Sequence, residues 1–430
     1  MVEIGGIMDN FSIVFSKDTG NAENYRIPSV VVTKDGTLVA AADERFFTGS
    51  DNPNRIDKVV RISEDGGKTW SEQITAVQMV GKDKKHSAAA IDPAMLYDAE
   101  QDAIFMLYSM TPAGIGILNC KKGTGYENGA RIVTGNGKKF LWKDGEMVDE
   151  SGSEKYAVAE DGTWSGGNVL TGEGGYKLYE TSFLMMIRSD DHGKTWSKPL
   201  ELNPSVKGKN WHFIGSGPAN GIQLRHGEHA GRLIFPIYYG LGKLPMKLTT
   251  ALIYSDDGGK TWSVTDTPPI RGRYIGKENP LIFPMRTYLT ESQVVELDSG
   301  ELVWFLRNHH PKRLIMVSRS LDSGITWTEP VLHEQLPQCV CQITALRVEE
   351  NGKEAILTIN AADPKKRRLG TARLSFDGGK TFPRSMVITD GEFVYSSAAQ
   401  LPDGTIAVLF EDCTKHENIK FTTFALSEVK

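Results

Sequence analysis

Ser255-Asp256-Asp257-Gly258-Gly259-Lys260-Thr261-Trp262 is one of five near-copies of a single eight-residue box in this 430-residue chain. The others run from Ser63 to Trp70, Ser189 to Trp196, Ser320 to Trp327 and Ser375 to Phe382, and together they read Ser-x-Asp-x-Gly-x-Thr-aromatic. Each position has a mechanical job. The Asp carboxylate accepts backbone N–H groups within its own turn, and the Gly two residues later takes the left-handed conformation that closes it. The Thr hydroxyl satisfies a further turn group, and the aromatic ring enters the core of a sheet. The boxes therefore read as folding devices rather than as chemistry.

Their spacing predicts the architecture. Ser189 to Ser255 is 66 residues, Ser255 to Ser320 is 65 and Ser320 to Ser375 is 55, a period that suits one four-stranded propeller blade with generous loops. Ser63 to Ser189 is 126, too long for one blade. The excess lies between about residues 110 and 180, where glycine-studded segments such as Gly137–Gly145 and Tyr156–Trp164 predict a small β insertion. The expected fold is all-β: residues 1–430 form a six-bladed β-propeller with a small β subdomain inserted in one blade. Ile27–Val32, Leu38–Ala41 and Glu301–Leu306 read as strands bounded by turns, and helical periodicity is hard to find.

Composition agrees and narrows the function. The chain has 40% hydrophobic residues, enough for a packed core, and 44 glycines, the mark of many tight turns. Lys+Arg number 49 against 54 Asp+Glu, a formal charge of −5 that gives no footprint for nucleic acid. The basic run Lys365-Lys366-Arg367-Arg368 reads as a loop entering a strand. Cys120, Cys339, Cys341 and Cys413 are too few for a disulfide scaffold, and Cys339-Val340-Cys341 reads as buried, inert thiols. His226-Gly-Glu-His229 reads as a hairpin turn, so neither a metal nor an organic cofactor is expected. The first residues carry no basic segment followed by an apolar one, and no apolar run reaches the ~20 residues of a membrane span.

Asn24-Tyr25-Arg26-Ile27-Pro28, upstream of five such boxes, resembles the (F/Y)RIP signature and Asp boxes of the sialidase superfamily, and the resemblance covers nearly the whole chain. It implies an exo-α-sialidase acting on terminal sialic acid of glycoconjugates, with retention through a covalent tyrosyl intermediate. A sialoside carries a carboxylate on its anomeric carbon, so several arginines are needed for charge-assisted, bidentate hydrogen bonds. By the resemblance Arg26 is the first. Arg307 is the second, closing the segment that opens with Glu291-Ser-Gln. Arg367 is the third, with its neighbour Arg368 as the alternative. The same carboxylate would repel an anionic nucleophile, which favours a neutral hydroxyl activated by a base. Tyr395, in Glu392-Phe-Val-Tyr395-Ser-Ser, matches the family's nucleophile, with Glu291 as its base and Glu411 as the acidic residue that holds the first arginine. Asp51, six residues beyond Arg45 in Phe47-Thr-Gly-Ser-Asp51-Asn-Pro53, matches the general acid, with Asp43 and Asp57 as rivals. Arg45 and Asp92 look like residues that contact the sugar's hydroxyl face.

The insertion is similar to the extra β subdomain of secreted bacterial sialidases, including intramolecular trans-sialidases. Those place a tryptophan about twenty residues after the nucleophile; here Thr414-Lys-His416-Glu417 holds none, which favours hydrolysis. Three readings stand beside it: intramolecular trans-sialidase, hydrolase of the deaminated sialic acid, and a non-catalytic glycan-binding propeller. The expected partners are sialylated glycans, with no nucleic acid and no membrane insertion. Such glycans are mostly extracellular, so a secreted or cell-surface setting is the expectation, with a cytoplasmic one left open.

Overall fold

The computed structural model describes residue 8 and residues 10–242, 247–268, 288–413 and 418–430. Apart from the small sheets of an insertion, its described strands fall into six mainly antiparallel units of four or five strands. The first runs Asn24–Val32, Leu38–Arg45, Ile56–Ser63 and Ile74–Val77. The second runs Ala89–Asp98, Ala103–Thr111, Phe183–Ser189 and Leu200–Glu201. Three further units follow in chain order, around Leu233–Leu241, Leu302–Asn308 and Lys353–Ala361. The last unit takes Ser396–Gln400, Ile406–Asp412 and Asn418–Phe424 from one end of the chain and Ser12–Phe15 from the other. One sheet is thereby closed by both ends.

The cores lie between the units, one per interface. Val39 and Val60 of the first pack with Met95 and Met106 of the second, and Phe105 of the second with Phe235 and Ile253 of the third. Leu252 packs with Trp304, Phe305 with Ile343, and Leu357 with Val408, each bridging the next pair. Val14 and Leu409 of the last unit then meet Val30 and Leu38 of the first. Face-to-face packing that returns to its start makes a closed β-propeller and leaves no unit with a bare face.

The five boxes form as their sequence predicts. In each, the Asp accepts the Thr N–H and the Thr hydroxyl, as Asp257 does from Thr261 at 2.9 and 2.6 Å, while the Ser oxygen accepts the Gly N–H. The box glycines Gly67, Gly193, Gly259, Gly324 and Gly379 all have φ between 75° and 89°. Two things differ from expectation. Trp262, Trp327 and Phe382 are buried, but Trp70 and Trp196 are only half-buried. The boxes also do more than turn the chain, because each glycine faces the preceding blade, closely for Gly67 on Phe421, Gly193 on Val39 and Gly259 on Phe105, and more loosely for Gly324 by Leu252 and Gly379 by Phe305.

Between Thr111 and Phe183 the chain leaves the second blade and builds a small sheet from Ala130–Gly135, Lys138–Lys143, Glu146–Asp149 and shorter strands. Its hairpins turn at Asn136-Gly137 and Asp144-Gly145, where both residues take positive φ as a type I′ turn requires. Phe140, Trp142 and Tyr176 join the core between the first two blades, so the insertion packs onto the ring.

The clasp between blades gives a direct test. A Cβ at Gly259 would come within 2.5 Å of Phe105, whereas one at Gly129, φ 75°, would meet nothing within 4 Å. Gly129→Ala is expected to lose about 1–2 kcal/mol, the conformational cost alone, and Gly259→Ala about 1–3 kcal/mol more from overpacking. Denaturant unfolding of both variants measures the difference; equal losses would reduce the boxes to turns.

Candidate active site

Side chains from several blades converge around Tyr395. Tyr395 stands just before the innermost strand of the last blade and is 6% exposed. Its hydroxyl donates to Glu291 Oε1 at 2.5 Å and accepts from Arg307 Nη1 at 2.7 Å; Arg307 also ion-pairs with Glu291. Three guanidiniums surround its ring, with Arg26, Arg307 and Arg367 carbons 5.8, 6.0 and 5.6 Å from the ring centroid. The Arg367 guanidinium donates no hydrogen bond to a described residue, and with Arg26 it lines a cavity of about 740 Å³. Arg368 lines the same cavity but donates to Asp363 at 2.6 Å, and only Arg367 lies over the Tyr395 ring.

Burial pushes the Tyr395 hydroxyl well above its ordinary range, Arg307 and Arg367 pull it down, and Glu291 and Cys341 raise it. The net is a neutral phenol with a carboxylate placed to take its proton. Glu411, fully buried, accepts from the Ile27 N–H at 2.6 Å, Arg26 Nη2 at 3.1 Å and the Tyr395 N–H at 3.4 Å. Glu411 thus pairs with Arg26 and also bonds the Tyr395 backbone.

Across the opening, Asp51 lies on the loop after Leu38–Arg45 with its side chain 71% exposed, and accepts from Arg45 Nη1 at 2.8 Å. Local burial raises its pKa, but Arg45, Arg26 and Arg367 outweigh this and hold the carboxyl below its usual range. Its rivals are occupied elsewhere. Asp43 is buried against Lys58 and Arg45, and Asp57 is bound by Arg55 and by the Met79 N–H. Arg45, expected at the sugar's hydroxyl face, is closed to solvent here, with its donors directed to Asp43, the Gly49 carbonyl and Asp51. Asp92, 8% exposed, has its N–H on Asp43 and its carboxyl at the site.

Bulges aim several of these groups. Strand pairing slips between Arg26 and Ser29, between Ile91 and Ala94, and between Leu289 and Ser292, the places where Arg26, Asp92 and Glu291 sit. Ile27 (φ 58°), Asp92 (63°) and Leu369 (61°) take left-handed backbone without being glycine. Sequence reasoning missed Lys58, fully buried beneath the site, and Tyr238, a buried phenol pushed up by burial and by Asp92, Glu291 and Tyr395. Nothing in Phe235-Pro-Ile-Tyr238-Tyr distinguishes a site tyrosine from an ordinary strand residue. The reading of the cysteines as inert also needs correction. Cys341 is buried and bonds the Val394 carbonyl, but Cys339 is only half-buried, and its hydrogen bond to Cys341, followed by Arg367, brings its thiol down to about 7. Thr414–Glu417, where a tryptophan was sought, lies outside the described residues.

Asp92 makes a stability test. Burial, then Asp43, Asp51 and Glu291, raise its carboxyl well above the ordinary value. A carboxyl with a raised folded-state pKa holds its proton more tightly when folded, so stability is lost as pH rises from about 4 towards the raised value. Asp92→Asn is expected to match the parent's Tm near pH 4 and exceed it at pH 7.5 by calorimetry. A parallel pH dependence in both proteins would contradict it.

Comparisons with known proteins agree with this geometry. A family described as BNR repeat-like domain matches residues 162–408. The chain is 26% identical to an anhydrosialidase of Macrobdella decora, over 97% of this chain and 63% of that one, and 26% identical to a sialidase of Bacteroides fragilis, over 92% and 61%. It therefore spans about three-fifths of the length of these curated relatives. An intramolecular trans-sialidase from Ruminococcus gnavus, solved with oseltamivir carboxylate, superposes with a TM-score of 0.82 at 25% identity over 98% of both chains. The repeats, the ring of blades and the arginine-lined tyrosine have one explanation: this chain belongs to the BNR-repeat sialidase superfamily.

Proposed function

We propose that the protein is an exo-α-sialidase that releases terminal sialic acid with retention, through a covalent intermediate on Tyr395. The observation that carries this reading is the Tyr395 hydroxyl, 2.5 Å from Glu291 and ringed by three arginines. The arginines bind the carboxylate on the anomeric carbon, which sets that carbon over the phenol. Glu291 takes the phenolic proton as oxygen attacks, and Arg307 stabilises the negative charge that develops. Asp51 protonates the departing oxygen and then activates water for the second step. In the free site Arg45, then Arg26 and Arg367, hold the Asp51 carboxyl ionised, so the acid role requires substrate to weaken that hold. Once the sugar carboxylate cancels charge on Arg26 and Arg367, less holds Asp51 ionised, so binding itself moves the acid towards its protonated form.

Product chemistry separates hydrolysis from intramolecular transfer. The second reading is favoured by kinship with an anhydrosialidase and an intramolecular trans-sialidase, and opposed by the absence of tryptophan from Thr414–Glu417. NMR of the product is expected to show free sialic acid; the 2,7-anhydro sugar would replace the first reading with the second.

The residue roles are tested by substitution. Tyr395→Phe is expected to lose at least about a hundredfold in kcat on an aryl α-sialoside while keeping affinity for an unsaturated sialic acid analogue. Full turnover would end the tyrosyl mechanism. Arg367→Ala removes a charge-assisted contact of about 1.5–3 kcal/mol, a ten- to hundredfold rise in KM, whereas Arg368→Ala is expected to change KM less than about threefold. Steady-state kinetics on both variants decides which arginine meets the carboxylate.

A further inference from the structure

The loop that carries Asp51 is held from two sides, and one of them belongs to the inserted subdomain. Inside the loop, buried Asn54 donates to the carbonyls of Thr48 at 2.6 Å and Ser50 at 3.0 Å, and accepts the Phe47 N–H at 3.2 Å. Asn52 faces both ways. Its Oδ1 accepts the Asn54 N–H at 3.1 Å, while its Nδ2 donates to the Ile115 carbonyl at 2.8 Å and to the Thr111 hydroxyl.

Thr111 is the last strand residue before the chain departs into the insertion, and Ile115 lies on the departing segment. That segment is itself tied to the insertion through the Ala113 N–H and the Leu170 carbonyl, 2.9 Å apart. Gly116 approaches from the same side so closely that a Cβ would come within 2.9 Å of the Asn52 carbonyl oxygen. Ile115 also packs with Phe213 and Tyr238, so the contact is anchored in the third blade as well.

We infer that the inserted subdomain buttresses the acid loop through the Asn52–Ile115 bond, and that Asn52 is a positioning residue for Asp51. This rests on the reading of Asp51 as proton donor. Asp51 is 71% exposed and has no packing of its own to fix it, so its place is set by Arg45 and by the loop. Displacing a catalytic group by about 1 Å can cost on the order of a hundredfold in rate.

The leaving group exposes such a displacement. A sugar alcohol must be protonated as it leaves, whereas 4-nitrophenol departs as a stable anion and needs little help. The experiment compares kcat/KM, which covers the steps through bond cleavage, on an α-sialyl-lactose and on 4-nitrophenyl α-sialoside. Asn52→Ala is expected to lose tenfold or more on the sialyl-lactose and less than threefold on the aryl substrate. Gly116→Ala keeps the Asn52 side chain and pushes the loop from the insertion's side; it is expected to show the same pattern more weakly, and it tests the same tie should Asn52→Ala fold poorly. Asp51→Asn, assayed alongside, shows the pattern at its largest. If Asp51→Asn discriminates between leaving groups but the other two lose equally on both substrates, or lose nothing, the buttress is overturned and the acid assignment stands. If Asp51→Asn does not discriminate, both fall.

Discussion

One buried carboxylate governs the site. Glu411 is shielded from water and accepts from two backbone N–H groups and one guanidinium, drawn from opposite ends of the chain. An unpaired buried charge would be prohibitive, so its burial is tolerable only if all three donors are in place. Those donors are Ile27 and Arg26 on the first blade and the backbone of Tyr395 on the last. Ring closure and site assembly are therefore one requirement. The left-handed backbone at Ile27, which costs on the order of 1–3 kcal/mol for a branched residue, is fixed by one oxygen of the carboxylate whose other oxygen fixes the first arginine.

Charge below the floor of the site follows a similar logic. Lys58, Asp43 and Arg45 form a buried chain in which each ion is held by the next, and Asp43 also accepts the Asp92 N–H. Such a network is weak evidence of stability, because desolvation offsets much of the attraction. Its effect here is geometric. It leaves Nη1 of Arg45 for the Gly49 carbonyl and Asp51, and it fixes the backbone of Asp92.

Much of this was legible in the sequence, and the limits are physical. The boxes could be read because turn chemistry is local: Ser255, Asp257, Gly259 and Thr261 satisfy one another within seven residues. Tyr395, Glu291 and the first two arginines were accessible through motif resemblance; the structure brings Tyr395, Glu291 and Arg307 within bonding distance of one another and sets Arg26 against the Tyr395 ring. What escaped depends on long-range packing. Lys58 lies on a strand whose eight residues are all buried, and no local signal marks its charge as a partner for Asp43. Arg45 looked like a sugar contact because no local signal shows that Asp43 and the Gly49 carbonyl claim its donors. The choice between Arg367 and Arg368 turned on Asp363, four and five residues away across a loop whose path the sequence does not specify.

The box glycines, each facing the blade before it, give the ring a sense of rotation. Every blade that carries a box leans on its predecessor, and the sixth, which has none, offers Phe421 to the first. A contact that always runs one way cannot be satisfied by a blade moved to another position or turned around, since its box would meet the wrong side chain. The repeats are thus alike in form but fixed in order, and sequence variation has room in the loops and in the insertion rather than in the exchange of blades.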